Sequence, residues 1–395
     1  MNEWIQTTLG GIVDKVDERQ GKTVVPLVLS VTEKRGIIPQ DQVFRTRVAT
    51  SDTTKYKVLQ PLDIAYNPYL LWSNAIGQWK GLKQGVTSPV YETFRVSGNN
   101  EPRFVGLLLE SGILTSYFYS TAIGSIPRRR RTPVPTFLQA SVKVPLLSEQ
   151  RRIVDVTSAV DVQIDALEEE SVLHESVYRS VLTSLVTQHP LVPIVDVVTR
   201  ATSGGTPSRK RADFFGGDIP WLKSGEVEDD RIETAKEFIT KAGLAASSAR
   251  LVPAGATLVA MYGQGDTKGR AGYVTSPVAT NQAVLALTPN GDRVHARYLL
   301  HAVRSRNDAL RQRAVGAAQP NLSKALVIAT EIPLPLELDD QERLANGLDS
   351  IRNVIRTVRA ELAALRAFRS SLLIALLSQA ITIPEAYDAV LEVAA

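Results

Sequence analysis

Two stretches of the chain carry apolar residues at alternating spacings of four and three positions. Nine of the ten positions in this series from Leu344 to Leu376 are apolar, and seven of ten from Ile153 to Leu185. A sustained repeat of 3.5 residues is typical of a coiled-coil seam. The central seam positions are predicted to be Val160, Ile164, Leu167, Ile351, Ile355, Val358, Leu362 and Leu365.

The two stretches are copies of one another. Residues Glu149–Gln188 and Asp340–Gln379 align without a gap at an offset of 191, with eight identical positions that include Gln150 and Gln341. Each copy follows an apolar segment that contains proline, which suits the start of a new helix. Forty helical residues span roughly 60 Å. We predict that the two helices bury their apolar stripes against each other as an antiparallel pair with a domain at each end; the alternative is two amphipathic helices buried in separate domains.

The segments outside the helices have short β-like runs punctuated by Gly, Pro, Ser and Asn, and each ends in a more helical stretch. We therefore predict an α+β fold that is an internal repeat with pseudo-two-fold symmetry. The predicted boundaries are a first domain at 1–145, a central helix at 146–190, a second domain at 191–331, a C-terminal helix at 332–380 and a tail at 381–395.

The net charge of +4 is unevenly distributed along the chain. Residues 1–148 contain 18 Lys and Arg against 11 Asp and Glu, and residues 191–331 contain 18 against 13. The helical stretches are acidic, with 3 against 8 in residues 149–190 and 6 against 9 in residues 332–395. Two basic domains favour a polyanionic partner such as nucleic acid.

Several classes of protein are disfavoured. There are no cysteines, which excludes disulfides, cysteine nucleophiles and thiolate zinc sites. The four histidines form no HxxxH or HExxH pattern, so no metal site is expected. No stretch of about 18 apolar residues and no secretory signal is visible, so we expect a cytoplasmic protein without membrane contact.

A glycine-rich turn in the second domain is a candidate phosphate contact. Gly204, Gly205 and Thr206 expose backbone, and hydroxyl and cationic side chains follow. The alternative is a plain structural turn before Trp221. The predicted DNA-binding residues of this region are Gly204, Gly205, Thr206, Ser208, Arg209, Lys210 and Lys223.

Three further segments carry donors suited to DNA. Gln319, Asn321 and Lys324 are suited to base edges or phosphates, although Asn321 or Ser323 could instead cap a helix. Arg128, Arg129, Arg130 and Arg131 are predicted to contact phosphates, with a solvated loop as the alternative. Lys268 and Arg270 lie in a glycine-rich loop that lacks the GxxxxGK[ST] pattern of a nucleotide-binding loop.

The strings SGGTPSRKRADFFGGDIPWLKSGEV (203–227) and GAAQPNLSKALVIATEIPLPLELDDQ (316–341), together with the repeated helices, resemble the specificity (S) subunit of Type I restriction-modification enzymes. LQPLDIAYNPY (59–69) and TSPVYETFRV (87–96) look like a diverged first copy, in which Leu62 stands where glycine is usual. The resemblance covers nearly the whole chain, in the order domain, helix, domain, helix.

This resemblance implies that the chain has no catalytic residues and binds no cofactor. Each target-recognition domain would read one half of a split site in double-stranded DNA. The helices would set the spacing and dock two methyltransferase subunits, which use S-adenosylmethionine to methylate adenine N6 of a flipped base. Restriction and translocase subunits would join for cleavage.

Two other functions are alternatives to this one. Asn67-Pro68-Tyr69 is reminiscent of the active-site motif of amino-methyltransferases, but one proline is missing and no glycine motif for a cofactor opens a βαβ unit. A non-enzymatic coiled-coil adaptor that binds proteins through both domains is the other alternative; the basic domains argue against it.

Overall fold

The computed structural model describes residues 4–22, 27–33, 35–43, 52–124, 130–227, 231–263, 267–313 and 321–388. The chain divides into two compact units. The first comprises residues 1–166 and 362–395, and the second comprises residues 167–361. Each unit therefore contains one α+β domain and one half of each long helix. The units cut across the predicted domain boundaries because the half-helices pack into the domain cores.

In its described residues, the first domain contains ten strands and three short α-helices. In chain order they are β1 (Ile5–Thr8), β2 (Val13–Val16), β3 (Val28–Thr32), β4 (Gly36–Pro39), β5 (Lys57–Leu59), β6 (Ile64–Tyr66), β7 (Ile76–Gln78), β8 (Gly85–Thr87), β9 (Glu92–Val96), α1 (Pro102–Glu110), α2 (Thr115–Thr121), α3 (Val134–Leu138) and β10 (Ser141–Val144). The long helix α4 (Leu147–Gln188) follows.

The second domain follows α4 and ends before the second long helix. Its elements are β11 (Leu191–Pro193), β12 (Val198–Ser203), β13 (Phe215–Leu222), β14 (Arg231–Ile232), β15 (Phe238–Ile239), α5 (Lys241–Ala245), β16 (Leu251–Val252), β17 (Thr257–Ala260), β18 (Ala271–Val274), β19 (Val278–Thr280), β20 (Val284–Pro289), α6 (Ala296–Arg304), α7 (Asn307–Arg313), α8 (Lys324–Ile328) and β21 (Glu331–Pro333). The second long helix is α9 (Leu338–Leu377).

Both domains have the same strand order. One sheet runs β2-β9-β6-β7 in the first domain and β12-β20-β17-β18 in the second, where β14 is added at the edge. The other sheet runs β4-β3-β8-β5 and β15-β13-β19-β16, and its central pair is parallel in both domains. A two-stranded ribbon precedes each long helix: β1-β10 leads into α4, and β11-β21 leads into α9. The duplication visible in the helix sequences thus extends to the domains.

The long helices bury the predicted seam. Ile164, Leu167, Ile355, Val358 and Leu362 are buried, and Val160, Ile351 and Leu365 are half-buried. The pairing is antiparallel: Asp161 of α4 pairs with Arg369 of α9 in the first unit, and Glu175 pairs with Arg352 in the second. These contacts confirm the predicted two-helix coiled coil.

Each half-helix also completes the core of one domain. The core of the first domain includes Phe104 and Leu108 of α1 together with Leu373 and Leu376 of α9. The core of the second includes the corresponding face of α6, with Leu182 and Leu185 of α4 among its buried residues. Because burial of apolar area drives this packing, the helices and the domains stabilise each other.

Gln150 and Gln341, identical in the helix repeat, make the same contacts in the two units. The Gln150 amide oxygen accepts the backbone N–H of Glu101 at 2.8 Å, and its amide nitrogen donates to the Pro145 carbonyl at 2.9 Å. The Gln341 oxygen accepts the N–H of His295 at 2.8 Å, and its nitrogen donates to the Pro335 carbonyl at 2.9 Å.

Glu101 and His295 are the N-cap residues of α1 and α6, the helices that pack each domain onto the coiled coil. Both glutamine side chains are almost fully buried. Each therefore satisfies a helix N-terminus and a proline carbonyl in water-excluded surroundings, where leaving either group unpaired is costly. We call these residues the junction glutamines.

A buried polar chain links the three helices of the second junction. His301 of α6 is fully buried; its Nδ1 accepts from the Tyr178 hydroxyl at 2.8 Å, and its Nε2 donates to Asp349 at 2.9 Å. Burial lowers the pKa of His301, and the hydrogen bond to Asp349 opposes this only in part. Burial alone would raise the pKa of Asp349, but the hydrogen bonds from His301 and Arg297 lower it to about 2. The imidazole is therefore neutral beside an ionised carboxylate.

Replacing a junction glutamine by an apolar residue of similar length should destabilise its unit. In Gln341→Met the His295 N–H and the Pro335 carbonyl stay buried without their partner, so we expect a loss of about 2–3 kcal/mol in the free energy of unfolding. Urea denaturation followed by circular dichroism measures this loss. Gln163→Met, on the exposed surface of α4, is the matched control. Equal stabilities of the two variants would contradict the role given to Gln341.

The neutral state of His301 makes stability depend on pH. Its pKa lies below the ordinary value of 6.5 in the folded protein, so the unfolded chain takes up a proton first as the pH falls. Stability should therefore decrease from about pH 7.5 to about pH 5.5. His301→Gln, which keeps an acceptor and a donor, should flatten this decrease. The free energy of unfolding measured across this range tests the prediction, and an unchanged slope in the variant would refute it.

Candidate nucleic-acid interface

The glycine turn of the second domain is packed against its neighbours. The N–H of Gly205 donates to the Thr280 carbonyl at 2.9 Å, and the N–H of Gly204 points to the Val284 carbonyl at 3.4 Å. A Cβ on Gly204 would lie 1.8 Å from the Thr280 carbonyl oxygen, and the Gly205 carbonyl accepts the Trp221 indole N–H. The two amides are thus engaged inside the domain. This corrects the interpretation of the turn as an open phosphate cradle and favours the structural alternative for these two glycines.

The side chains after the turn form a charged surface on aromatic rings, which we call the cation shelf: Arg209, Phe215, Trp221, Lys223 and Glu237. The Arg209 guanidinium lies 4.3 Å from the Phe215 ring centre and 5.1 Å from that of Trp221. Arg209 and Lys223 both pair with Glu237. The hydrogen bond from Arg209, with that from Lys223, lowers the pKa of Glu237 to about 2. Two predicted residues, distant in sequence, are brought together here.

The rest of this segment is exposed. Ser208 and Lys210 face solvent, and the Thr206 hydroxyl donates to the Gln282 amide oxygen at 2.6 Å. Arg211 pairs with Asp213 and stacks on Phe214. The sequence does not indicate Glu237 and Gln282 as site residues, because carboxylates and amides scattered over a domain carry no spacing signal. The Glu237 carboxylate halves the net positive charge that Arg209 and Lys223 would supply alone.

The QPNLSK segment caps a helix. The Ser323 hydroxyl accepts the backbone N–H of Leu326 at 3.2 Å, which makes Ser323 the N-cap of α8. Of the two candidate N-cap residues, Asn321 and Ser323, it is therefore Ser323 that caps the helix. Asn321 and Lys324 are exposed, and their contact with DNA stays a prediction. Gln319 lies outside the described residues.

The glycine-rich loop of the second domain is described only in part. The Lys268 carbonyl accepts from the Arg311 side chain at 3.0 Å. Arg270 is half-buried and lines a groove beside the long helices. This arrangement links the loop to α7 rather than to the cation shelf.

The arginine run of the first domain is partly described. Arg128 and Arg129 lie outside the described residues. Arg130 stacks on the Tyr119 ring at 4.5 Å and donates to the Tyr119 carbonyl. Arg131 is exposed, and its backbone pairs with Ile123 in an isolated bridge. The end of the run is therefore anchored to the domain, with one arginine directed to solvent.

The motif shared with methyltransferases forms a local turn. The Asn67 side-chain oxygen accepts the backbone N–H of Tyr69 at 3.0 Å, and the Pro68 carbonyl accepts the N–H of Thr132 at 2.9 Å. Nearby, Leu62 has a φ of 68°, in the left-handed region. That backbone costs an L-residue about 1–2 kcal/mol, which explains why glycine is usual at this position in the similar pattern.

The described part of the chain contains no group of three or more His, Asp or Glu side chains placed to hold a metal ion. Of its helices, none has an apolar stretch long enough to cross a membrane.

Comparison with known proteins identifies the second unit most directly. Residues 191–367, from β11 into α9, match the family of Type I restriction modification DNA specificity domains. The specificity subunit of the Type I restriction enzyme EcoR124I/EcoR124II from Escherichia coli is 22% identical over 234 residues, 58% of this chain and 57% of the relative. The MjaIX specificity subunit from Methanocaldococcus jannaschii is 25% identical over 172 residues, 42% of this chain and 38% of the relative. The chain thus aligns with 57% of the length of one curated relative and 38% of the length of the other.

Solved structures share the fold along the whole chain. The S subunit of a Type I restriction-modification system from M. genitalium matches with a TM-score of 0.60 and 13% identity, over 95% of this chain and 96% of the other. A chain from a study of the assembly of a type I R-M system matches with a TM-score of 0.57 and 17% identity, over 95% and 97%. Residues 191–367 therefore match the Type I restriction modification DNA specificity domain, and the fold of 95% of the chain resembles that of a Type I restriction-modification S subunit.

Proposed function

We propose that the chain is the DNA-recognition subunit of a Type I restriction-modification complex and that it reads an asymmetric, bipartite target. The observation that carries this proposal is the duplicated domain. Two copies of one strand order present different side chains. One scaffold with two sets of side chains suits two half-sites of different sequence, because base readout depends on a few residues placed by the fold.

Charge supports DNA as the ligand. Both domains are basic, while the helical stretches between and after them are acidic. In the second domain, Arg209 and Lys223 stand on aromatic rings, with Lys210 exposed beside them. In the first, Arg131 is exposed at the end of the arginine run. Cations fixed on a rigid surface bind phosphates with little loss of side-chain freedom.

The long helices are proposed to dock two methyltransferase subunits. Both helices expose large apolar side chains outside their seam, including Val162 at 68%, Leu173 at 61% and Phe368 at 55%. Exposed apolar residues on a charged helix surface mark a protein contact. In this proposal the partner subunits bind S-adenosylmethionine and transfer the methyl group, restriction and translocase subunits join them, and the complex acts on cytoplasmic DNA.

Sequencing of adenine methylation tests the bipartite target. In a host that expresses this chain with its methyltransferase, we expect one motif made of two different half-sites separated by unspecified bases. An exchange of residues 191–331 for the corresponding domain of another specificity subunit should alter only one half-site. A palindromic or continuous motif would overturn the proposal, and so would methyl transfer by the purified chain alone.

The cation shelf offers a direct test of DNA contact. Glu237→Gln removes the carboxylate that compensates Arg209 and Lys223, so DNA should bind more tightly at low salt. If one more phosphate is then neutralised, the slope of log affinity against log salt should steepen by about 0.9. Fluorescence anisotropy with a DNA duplex that contains the motif found by methylation sequencing measures the affinity and its dependence on salt.

Glu233→Gln is the matched control, because it removes one exposed carboxylate from the same domain outside the shelf. Its salt slope should equal that of the unmodified protein. If Glu237→Gln and Glu233→Gln have the same effect, the shelf lies away from DNA.

A further inference from the structure

A groove of about 570 Å³ opens in the second unit between the two long helices and the second domain. Tyr178 and Leu182 of α4 form part of its wall, and Glu175 and Asp308 are its carboxylates. Six arginines line it: Arg179, Arg270, Arg304, Arg311, Arg352 and Arg359. An excess of guanidinium groups in a concave, partly desolvated place favours an anionic ligand.

The arginines of the groove differ in how far their side chains are exposed. Arg304 and Arg352 are 6% and 8% exposed. Arg304 donates to the Ala271 carbonyl and to the Tyr178 hydroxyl, and the Arg352 guanidinium lies 5.3 Å from the Tyr178 ring centre. Arg179 and Arg359 stand at the rim on the two helices and are exposed. Arg352 and Arg359 both pair with Glu175, at 3.0 and 2.8 Å. The floor is therefore preorganised, and the two rim arginines are accessible from solvent.

At two positions, the corresponding place in the first unit has a carboxylate where the groove has a guanidinium group. Arg304 is the last residue of α6, and the last residue of α1 is Glu110. Arg352 corresponds to Asp161 at the repeat offset of 191. Glu110 pairs with Lys80, and Asp161 pairs with Arg369. Among the described residues, Arg304 and Arg352 therefore have no cationic counterpart at the corresponding positions of the first unit, although the scaffold around them is duplicated.

We propose that this groove, the arginine groove, binds a carboxylate-rich peptide segment of a partner protein, one segment per chain. The planar guanidinium fork matches a carboxylate with two parallel hydrogen bonds. The proposal rests on the proposed function in one respect, that the long helices dock other protein subunits. Two identical subunits docked on the duplicated helices could not both make this contact, because the arginine groove lies in the second unit. The contact would therefore distinguish the second unit from the first.

The geometry favours a peptide over duplex DNA. The guanidinium groups of the floor are less than a tenth exposed, so the backbone of a rigid duplex cannot reach them. A carboxylate on a flexible side chain can. Six of the eleven lining residues belong to the long helices. Val172, one helical turn before Glu175, is 70% exposed and offers apolar contact to a peptide at the same rim.

Binding of a labelled acidic peptide to the full-length chain tests the arginine groove. The probe is fluorescein-labelled octaglutamate, followed by fluorescence anisotropy at low ionic strength. We expect one bound peptide per chain and a loss of affinity of about tenfold or more in Arg179→Ala/Arg359→Ala, since two charge-assisted contacts are removed. Arg343→Ala/Arg356→Ala removes two exposed arginines of α9 outside the groove and should change the affinity less than about twofold.

Three outcomes would overturn the proposal: no peptide binding by the unmodified chain, equal losses in the two double variants, or two peptides per chain. A non-specific DNA duplex that competes with the peptide and loses affinity in the rim variant alone would assign the groove to DNA instead. The titration uses no target site, so its result is independent of the methylation motif. Failure of the peptide test and failure of the bipartite target are therefore distinguishable.

Discussion

Burial of the apolar stripes of α4 and α9 is the constraint on which the rest of the structure depends. A helix of some forty residues with such a stripe is not stable alone in water, and each stripe is covered by the other helix and by one domain. Helix and domain cores are therefore continuous in each unit. The junction glutamines exist because this packing buries the N-terminus of a domain helix and a proline carbonyl, which need partners.

The two units share the features that this packing requires and differ in their other side chains. Strand order, the central parallel pair and the junction glutamines are the same in both units. The side chains around them differ, to the extent that Glu110 and Asp161 in one unit correspond to Arg304 and Arg352 in the other. A scaffold that keeps its core and changes its surface suits two domains that bind different sequences and two junctions that meet different neighbours.

The candidate site shows how charge in a sequence differs from charge on a surface. Arg209 and Lys223 were identified from the basic segment that contains them, and both are on one surface. Both pair with the carboxylate of Glu237, which follows Lys223 by 14 residues, and no spacing pattern in the sequence indicates this partner. Gly204 and Gly205 resembled an anion-binding turn, yet their amides serve the domain's own carbonyls. Glycines required for close packing and glycines required for a ligand look alike in a sequence.

The sequence by itself determined the two long helices, their antiparallel pairing, the α+β class and the basic character of the domains, because periodicity and composition are local properties. It also showed that the repeated helices both have glutamine at this position, Gln150 and Gln341, although it did not show why. Only the tertiary structure decided which carbonyls and N–H groups those side chains join, that Ser323 rather than Asn321 caps α8, and that six arginines from five segments share one groove. These features depend on residues far apart in the chain, and their proximity is set by how the helices and sheets pack.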